Sequence, residues 1–193
     1  MIVGDGGQVT PTPTPTPTPT VTPTPTPGGS YSLNPTADSY TYGGSAATNY
    51  GTAVDLIVKD GFGTTYDRVS YLKFNLSGVA GTISSAWLRL YCHGLSNGAP
   101  STAKCFTVAD DSWTETGMTW NNAPALGGQV GSTLNVGTIN TWYEVDILSF
   151  VVTEYNGNKV VTIAVKDDTQ VNKMIDFDSR EATNKPVLEI TTV

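Results

Sequence analysis

Several aromatic and basic side chains have the types and spacing needed to bind a sugar polymer. The candidates for this role are Tyr71, Lys73, Trp87, Arg89, Tyr91 and Trp142. Aromatic rings can stack on pyranose rings, and covering ~100 Å² of apolar surface contributes about 2.5 kcal/mol at ~25 cal/mol/Å². Association entropy offsets part of this gain, so several rings or charge-assisted hydrogen bonds are needed. The alternative is a cross-strand tyrosine pair, a solvated basic face, and a Trp142 that packs at a sheet edge.

Catalytic chemistry has little support in the sequence. His93 is the single histidine, and no serine or cysteine motif marks a nucleophile for it to activate. The chain also lacks an HExxH motif, a CxxC motif and a phosphate-binding loop. We therefore predict a protein that is not an enzyme.

The composition favours an extracellular all-β module. Charged residues make up 14% of the 193 residues, against roughly 25% in an average soluble protein, and Thr, Ser, Gly and Asn take their place. The net charge of −7 argues against a nucleic-acid partner, because such binding depends on basic patches that face phosphates. No apolar run approaches the roughly 20 residues that span a bilayer, so we predict no membrane insertion.

The chain divides into a short leader, a linker and one domain. Residues 10–27 are a Thr-Pro repeat, which predicts a stiff, polyproline-like spacer of roughly 55 Å at ~3.1 Å per residue. Residues 28–30 supply a flexible joint, and residues 31–193 form the domain. Residues 1–9 lack the features of a secretory signal, so we expect a remnant of a preceding region or an artificial start. A spacer predicts other modules in the same secreted polypeptide; the alternative is a disordered tail.

Short strand-like runs separated by turn residues predict an all-β fold, a β-sandwich. The predicted strands are Tyr31–Leu33, Ser39–Tyr42, Asp55–Lys59, Arg68–Leu76, Ala86–His93, Lys104–Ala109, Thr138–Val145, Lys159–Lys166, Met174–Asp178 and Val187–Thr192. One short helix is predicted after Asp146, which can cap it, and before Gly157, which can end it. Ile147, Phe150, Val151 and Tyr155 would share one face of it.

Alternation assigns faces to two of these strands. Leu72 and Phe74 would face the core from Arg68–Leu76, as Leu88 and Leu90 would from Ala86–His93. If these strands pair directly around Gly81, Tyr71 lies opposite Tyr91 and Lys73 lies opposite Arg89. Like charges directly opposite are mildly destabilising. Two adjacent cations would suit an acidic ligand.

The segment Asp110–Pro124 concentrates two of the four tryptophans, Trp113 and Trp120, among turn residues. Ser112 and Glu115 have the spacing of a capping box around a first helical turn. We expect the segment to fold over the end of the domain, with its indoles covering protein. An ion pair between Arg180 and Glu181 is expected to brace the last turns.

Two cysteines, Cys92 and Cys105, flank a loop that could connect neighbouring strands. A disulfide would fit an exported protein. The alternative is two small buried side chains with free thiols.

A series of ordered motifs resembles a known family. These motifs are Asp38-Ser39-Tyr40, Thr48-Asn49-Tyr50-Gly51, Arg68-Val69-Ser70-Tyr71-Leu72-Lys73-Phe74, Ser85-Ala86-Trp87-Leu88-Arg89-Leu90, Asp111-Ser112-Trp113-Thr114-Glu115, Thr119-Trp120-Asn121-Asn122-Ala123-Pro124 and Phe177-Asp178-Ser179-Arg180-Glu181-Ala182. Together they resemble the DNRLRE-type domain, which is grouped with carbohydrate-binding module family 96. The resemblance implies a jelly-roll β-sandwich of the kind appended to secreted bacterial polysaccharide-degrading enzymes, and some relatives bind alginate.

A structural calcium ion is also consistent with the resemblance. Asp38 opens the first core strand and Asp178 ends one of the last, and a jelly roll often ties its two ends together. Carboxylate oxygens there would suit calcium, although the spacing is not that of a calcium-binding loop.

The sequence thus predicts a non-catalytic carbohydrate-binding module of a secreted, multi-modular protein. Its expected ligand is a plant or algal cell-wall polysaccharide, with an acidic polymer of the alginate or pectin type slightly favoured. The alternative is a structural or adhesion domain of a cell-surface protein, without sugar affinity.

Overall fold

The structure is a computed structural model. The residues that it describes contain eleven β-strands and one α-helix. They are residues 1, 2, 4, 28–61, 63, 65–96 and 100–193, and the predicted Thr-Pro repeat lies outside them. The strands are β1 Ser30–Leu33, β2 Ala37–Tyr42, β3 Asp55–Lys59, β4 Arg68–Asn75, β5 Ile83–Leu95, β6 Ser101–Thr107, β7 Gln129–Val136, β8 Thr141–Asp146, β9 Val160–Lys166, β10 Met174–Asp178 and β11 Val187–Thr192; the helix α1 is Leu148–Asn156.

All described strand pairs are antiparallel and form one curled sheet. Its order is β1-β11-β5-β10-β3-β4-β9-β6-β7, with β2 added beside β4 and β8 beside β5. The two halves are joined at the single pair Lys59–Arg68 and face each other across one core. Phe74 from β4 and Phe177 from β10 are both buried there. The predicted all-β, sandwich-like fold is confirmed.

The predicted core faces of β4 and β5 are also confirmed. Leu72, Phe74, Leu88 and Leu90 are almost fully buried in this core, as expected from a period of two along each strand. Cys92 and Cys105 lie in the same core as free thiols, so the disulfide alternative is wrong. Burial raises the pKa of Cys92 to about 11 and that of Cys105 to about 12.

The predicted hairpin between β4 and β5 is wrong. β4 lies between β2 and β9, whereas β5 pairs with β8 on one side and with β10 and β11 on the other. The connection crosses from one half of the sheet to the other instead of turning back. Leu76, Val79 and Ile83 are buried in the core along this crossing, so apolar burial stabilises it.

The predicted helix is confirmed, whereas β7 was not predicted. Asp146 Oδ1 accepts a hydrogen bond from the Leu148 amide at 2.9 Å, and Gly157 is the C-cap of α1. Val130 and Leu134 are the inward side chains of β7. Between them the pairing with β6 is irregular, and Gly131 has a φ of 70°. That irregularity breaks the alternation from which a strand is predicted.

The Asp110–Pro124 segment covers the outer side of β4 and β9, as expected of a covering loop. Trp113 and Met118 are buried against Val69, Tyr71 and other apolar residues in a second, smaller cluster. Trp120 is partly buried against the same cluster. The prediction that these indoles cover protein is therefore confirmed for Trp113, while Trp120 covers protein with only part of its surface.

The local structure of this segment differs from the predicted capping box. The Ser112 amide donates to Asp110 Oδ1 at 2.8 Å, and no helix begins there. The capping box is instead formed by Thr119 and Asn122 around a short 3-10 turn. The side chain of Glu115 is engaged elsewhere, because its carboxylate bonds distant parts of the chain.

Candidate functional site

The outer side of β5 and its two neighbouring strands carries an open row of aromatic and charged side chains. We call this surface the aromatic face, and its members are Trp87, Arg89, Tyr91, Trp142, Glu144 and Glu189. Consecutive outward residues of β5 are about 6.7 Å apart along the strand. β8 and β11 supply the flanking residues through their pairing with β5. The surface is therefore an extended platform made from three strands.

Two aromatic contacts shape one end of the aromatic face. Tyr91 and Trp142 are directly opposite each other in the β5–β8 pair, with ring centroids 5.3 Å apart in an edge-on arrangement. Trp87, two outward positions along β5, is 40% exposed. An exposed indole on a regular strand is held in place without being covered, so it can accept a ligand ring.

Arg89 lies at the centre of the aromatic face and is held on three sides. Its Nε donates to Glu144 Oε1 and its Nη1 to Glu189 Oε1, both at 2.8 Å. The guanidinium carbon is also 5.0 Å from the centroid of Trp142. These hydrogen bonds raise the pKa of Arg89 above its usual value, with the bond to Glu189 contributing most. One cation between two carboxylates leaves this group with a net charge of about −1.

Glu144 and Glu189 were not among the residues selected from the sequence. Each comes from a different strand, and only the register shows that Glu144 is opposite Arg89 and that Glu189 is opposite Trp87. One signal was available: Val145 faces the core, so alternation directs Glu144 outward together with Trp142.

Tyr71 and Lys73 do not belong to the aromatic face. They lie on β4 in the other half of the sheet, under the covering loop, and Tyr71 is only 3% exposed. Burial raises the pKa of Tyr71 to about 12. Lys73 Nζ donates to the carbonyl oxygens of Asp111 and Trp113 at 2.7 and 2.6 Å, and lies 4.3 Å from the Trp113 ring. Lys73 thus anchors the loop. The prediction that it lies opposite Arg89 is wrong, because its cross-strand partners are Ala37 and Thr162.

The predicted calcium ligands lie in two different groups. Asp38, almost fully buried, has its carboxylate close to those of Glu115 and Glu181. Arg180 lies within this group: its Nη1 is 2.8 Å from both oxygens of Glu115 and 4.0 Å from Glu181, and its amide donates to Asp38. The main ion pair of Arg180 is therefore with Glu115, and not with Glu181 as predicted.

This group combines three carboxylates with one cation. The guanidinium of Arg180 already supplies the positive charge beside Glu115. Burial raises the pKa of Asp38 to about 7, and a bound cation would lower that pKa again. With Glu115 and Glu181 ionised and Arg180 as the cation of this group, the group keeps a net charge of about −1 even when Asp38 is protonated.

Asp178 contacts His93 and Asn184. Its Oδ1 is 2.7 Å from His93 Nδ1, and its Oδ2 accepts hydrogen bonds from the amide and side chain of Asn184. His93 Nε2 is 3.1 Å from Asp55 Oδ1, and Asp55 is the cross-strand partner of Asp178. The imidazole of His93 thus lies between two opposed carboxylates. Both oxygens of Asp178 thus have protein contacts.

The chemistry available at the aromatic face is that of binding. Trp87 offers an exposed ring for stacking on a sugar, and Tyr91 and Trp142 beside it are partly buried. Arg89 with its two glutamates offers a donor and acceptors for hydroxyl groups. In the described ranges, no helix is long and apolar enough to cross a membrane.

Comparison with known proteins identifies one family and one curated relative. The family model described as carbohydrate-binding module family 96 matches residues 30–192. A gellan lyase from Bacillus sp is 33% identical over 171 residues, which cover 84% of this chain and 7% of that protein. The chain therefore spans only a small part of the relative's length.

The likeness to solved structures is weak. The K1 cleaved adhesin domain of Lys-gingipain from Porphyromonas gingivalis W83 has a TM-score of 0.35 and 11% identity, covering 83% of this chain and 97% of that one. The Mud crab tombus-like virus structure has a TM-score of 0.31 and 8% identity, covering 98% of this chain and 92% of that one. At these TM-scores neither likeness supports an argument about the site.

Proposed function

The chain belongs to carbohydrate-binding module family 96 and is a non-catalytic binding module, and we propose that it binds a cell-wall polysaccharide through its aromatic face. The observation that carries this proposal is the exposed Trp87, which lies on β5 beside a fixed Arg89 and the Tyr91–Trp142 pair. Stacking surfaces held on regular strands lose little side-chain freedom on binding. An open platform suits the side of an extended polymer.

The predicted pair of Lys73 and Arg89 no longer supports a preference for an acidic polymer. That preference assumed two unpaired cations side by side, whereas Lys73 holds backbone carbonyls and Arg89 is shared by two glutamates. We propose that stacking and hydroxyl contacts carry most of the affinity. Alginate and pectin-type polymers stay among the candidates, and gellan joins them because the curated relative is named a gellan lyase.

The binding module would act by keeping a longer protein at its substrate. The curated relative is much longer than the matched module, which supports a multi-modular protein, and a module that binds cell-wall polysaccharide would act outside the cell. Tethering raises the effective concentration of a linked module near the polymer without chemistry of its own.

Native gels that contain a polymer test the proposal. We expect retardation by at least one of alginate, polygalacturonate, gellan or xylan, and loss of that retardation in the Trp87→Ala and Arg89→Ala variants. No retardation by any of the four would overturn binding and favour a structural or adhesion domain. Retardation of both variants at the wild-type level would place the sugar elsewhere.

A further inference from the structure

A cleft on the opposite half of the sheet lies beside the second tryptophan of the covering loop. Its volume is about 330 Å³, and its lining includes Trp120 and Leu126 from the loop, Val69 from β4, Asp67, and Lys166 from β9. Small-molecule sites have volumes of roughly 300–1,000 Å³ and combine apolar walls with a few polar groups. The cleft is therefore large enough for one sugar ring.

The wall that carries Trp120 is held in one conformation. Trp120 begins the 3-10 turn that the Thr119–Asn122 capping box closes. The Asn121 amide donates to the carbonyl of Ala46, and Tyr71 Oη donates to that of Pro124. A wall with these anchors needs little ordering when a ligand binds, which favours affinity.

The polar groups at the cleft have free hydrogen-bonding capacity. Asp67 uses Oδ1 to accept from the Gly61 amide, which leaves Oδ2 as an acceptor. Lys166 lines the cleft, and among the described residues its ammonium has no hydrogen bond or ion pair. By contrast, the amine of Lys104, its cross-strand partner in β6, is held by Asp168 at 2.8 Å.

The charges near the cleft select against an anionic ligand. Asp60 interacts electrostatically with Asp67 and Asp167 as well as with Lys166. Lys166 is thus one cation near two carboxylates, those of Asp67 and Asp60, and negative charge predominates. An acceptor and a donor on one rim, beside an indole, match the vicinal hydroxyls and the apolar face of an uncharged sugar.

From this arrangement we infer a second sugar-binding site, a cleft in which one uncharged pyranose ring packs against Trp120 and bonds Asp67 and Lys166 through its hydroxyls. This site goes beyond the proposed function, because it lies on the other half of the sheet from the aromatic face. A larger groove of about 430 Å³ beside α1 is a weaker candidate, since its single ring, Phe150, belongs to the core.

The four tryptophan indole N–H signals allow both sites to be tested in one nuclear magnetic resonance titration. The probes are neutral xylan, glucan and galactomannan oligosaccharides, with oligogalacturonate as the acidic comparison. A Trp87→Ala/Trp142→Ala variant removes the rings of the aromatic face. We expect the Trp120 signal to shift in this variant with a neutral probe, while the buried Trp113 signal stays in place and reports folding.

Two further variants connect the shift to the cleft. Lys166→Met keeps the apolar stem but removes the donor, and we expect affinity at Trp120 to fall more than about tenfold. Lys104→Met is the matched control and should leave affinity unchanged. A Trp120 signal that does not move with any neutral probe, or moves only with oligogalacturonate, overturns the inference. Shifts confined to Trp87 and Trp142 in the wild type would also overturn it, while leaving the aromatic face as the binding surface.

Discussion

Replacing Trp87 by alanine tests the aromatic face most directly. The side chain is 40% exposed, and a tryptophan offers up to about 250 Å² of surface, so about 100 Å² is available to a ligand. At ~25 cal/mol/Å², a sugar that covers all of it gains about 2.5 kcal/mol, and one that covers half gains about 1.2 kcal/mol. The variant should therefore bind roughly eight- to sixty-fold more weakly.

The measurement is calorimetric titration with the polymer that retards the wild type most strongly. Tyr66→Ala is the matched control, because it removes an aromatic ring that is 56% exposed and lies outside the aromatic face. We expect the control to bind like the wild type and both variants to unfold at wild-type denaturant concentrations. A Trp87→Ala affinity within twofold of wild type would refute the stacking argument. An equal loss in Tyr66→Ala would show that exposed apolar area alone drives binding.

The remaining predictions concern the cluster of buried acids and the role of charge. Glu115→Gln should lower the free energy of unfolding by about 1–3 kcal/mol in urea titrations, because Glu115 accepts from both the Asp38 amide and Arg180; the exposed-pair control Lys104→Ala should change it by less than about 0.5 kcal/mol. Burial raises the folded pKa of Asp38 to about 7, so the folded state binds this proton more tightly than the unfolded state does, and this contribution to stability is lost as pH rises from about 4 to 7. Asp38→Asn should flatten that decline in unfolding experiments across this range, and an unchanged slope would assign it to other groups. Chelation with EDTA should leave the melting temperature unchanged, because Arg180 supplies the positive charge beside Glu115; a drop of several degrees would instead establish a structural ion. Polymer affinity should vary less than threefold between 20 and 500 mM salt, since Arg89 is shared by two glutamates; a steep loss with salt would show that charge attraction dominates.

Much of the fold could be predicted because it follows from local patterns. The predicted bounds of β3, β10 and β11 are those of the structure, and each of these strands has inward side chains at a period of two. The helix after Asp146 could also be predicted from a local pattern, because its cap and its apolar face lie within one short segment. β7 was not predicted, because the irregular pairing near Gly131 interrupts its alternation.

Long-range partners could not be predicted, because local patterns do not determine them. The spacing of Ser112 and Glu115 fits a capping box, but the Glu115 carboxylate bonds Asp38 and Arg180, which are 77 and 65 residues away along the chain. The same limit applies to Arg89, whose partner Glu189 is 100 residues away. A carboxylate forms hydrogen bonds and ion pairs with the groups that the fold brings near it. Which groups these are depends on the strand order.

Two strands with nearly the same surface pattern have opposite uses in this fold. β4 presents Tyr71 and Lys73, and β5 presents Trp87 and Arg89, so alternation alone gives both strands a candidate binding surface. On β4 the pattern is used internally: Lys73 bonds two carbonyls of the covering loop, and Tyr71 packs under it. On β5 the flanking strands supply glutamates that fix Arg89, and Trp87 stays exposed. The covering loop thus occupies the outer side of β4, and the proposed aromatic face lies on the half of the sheet that this loop leaves uncovered.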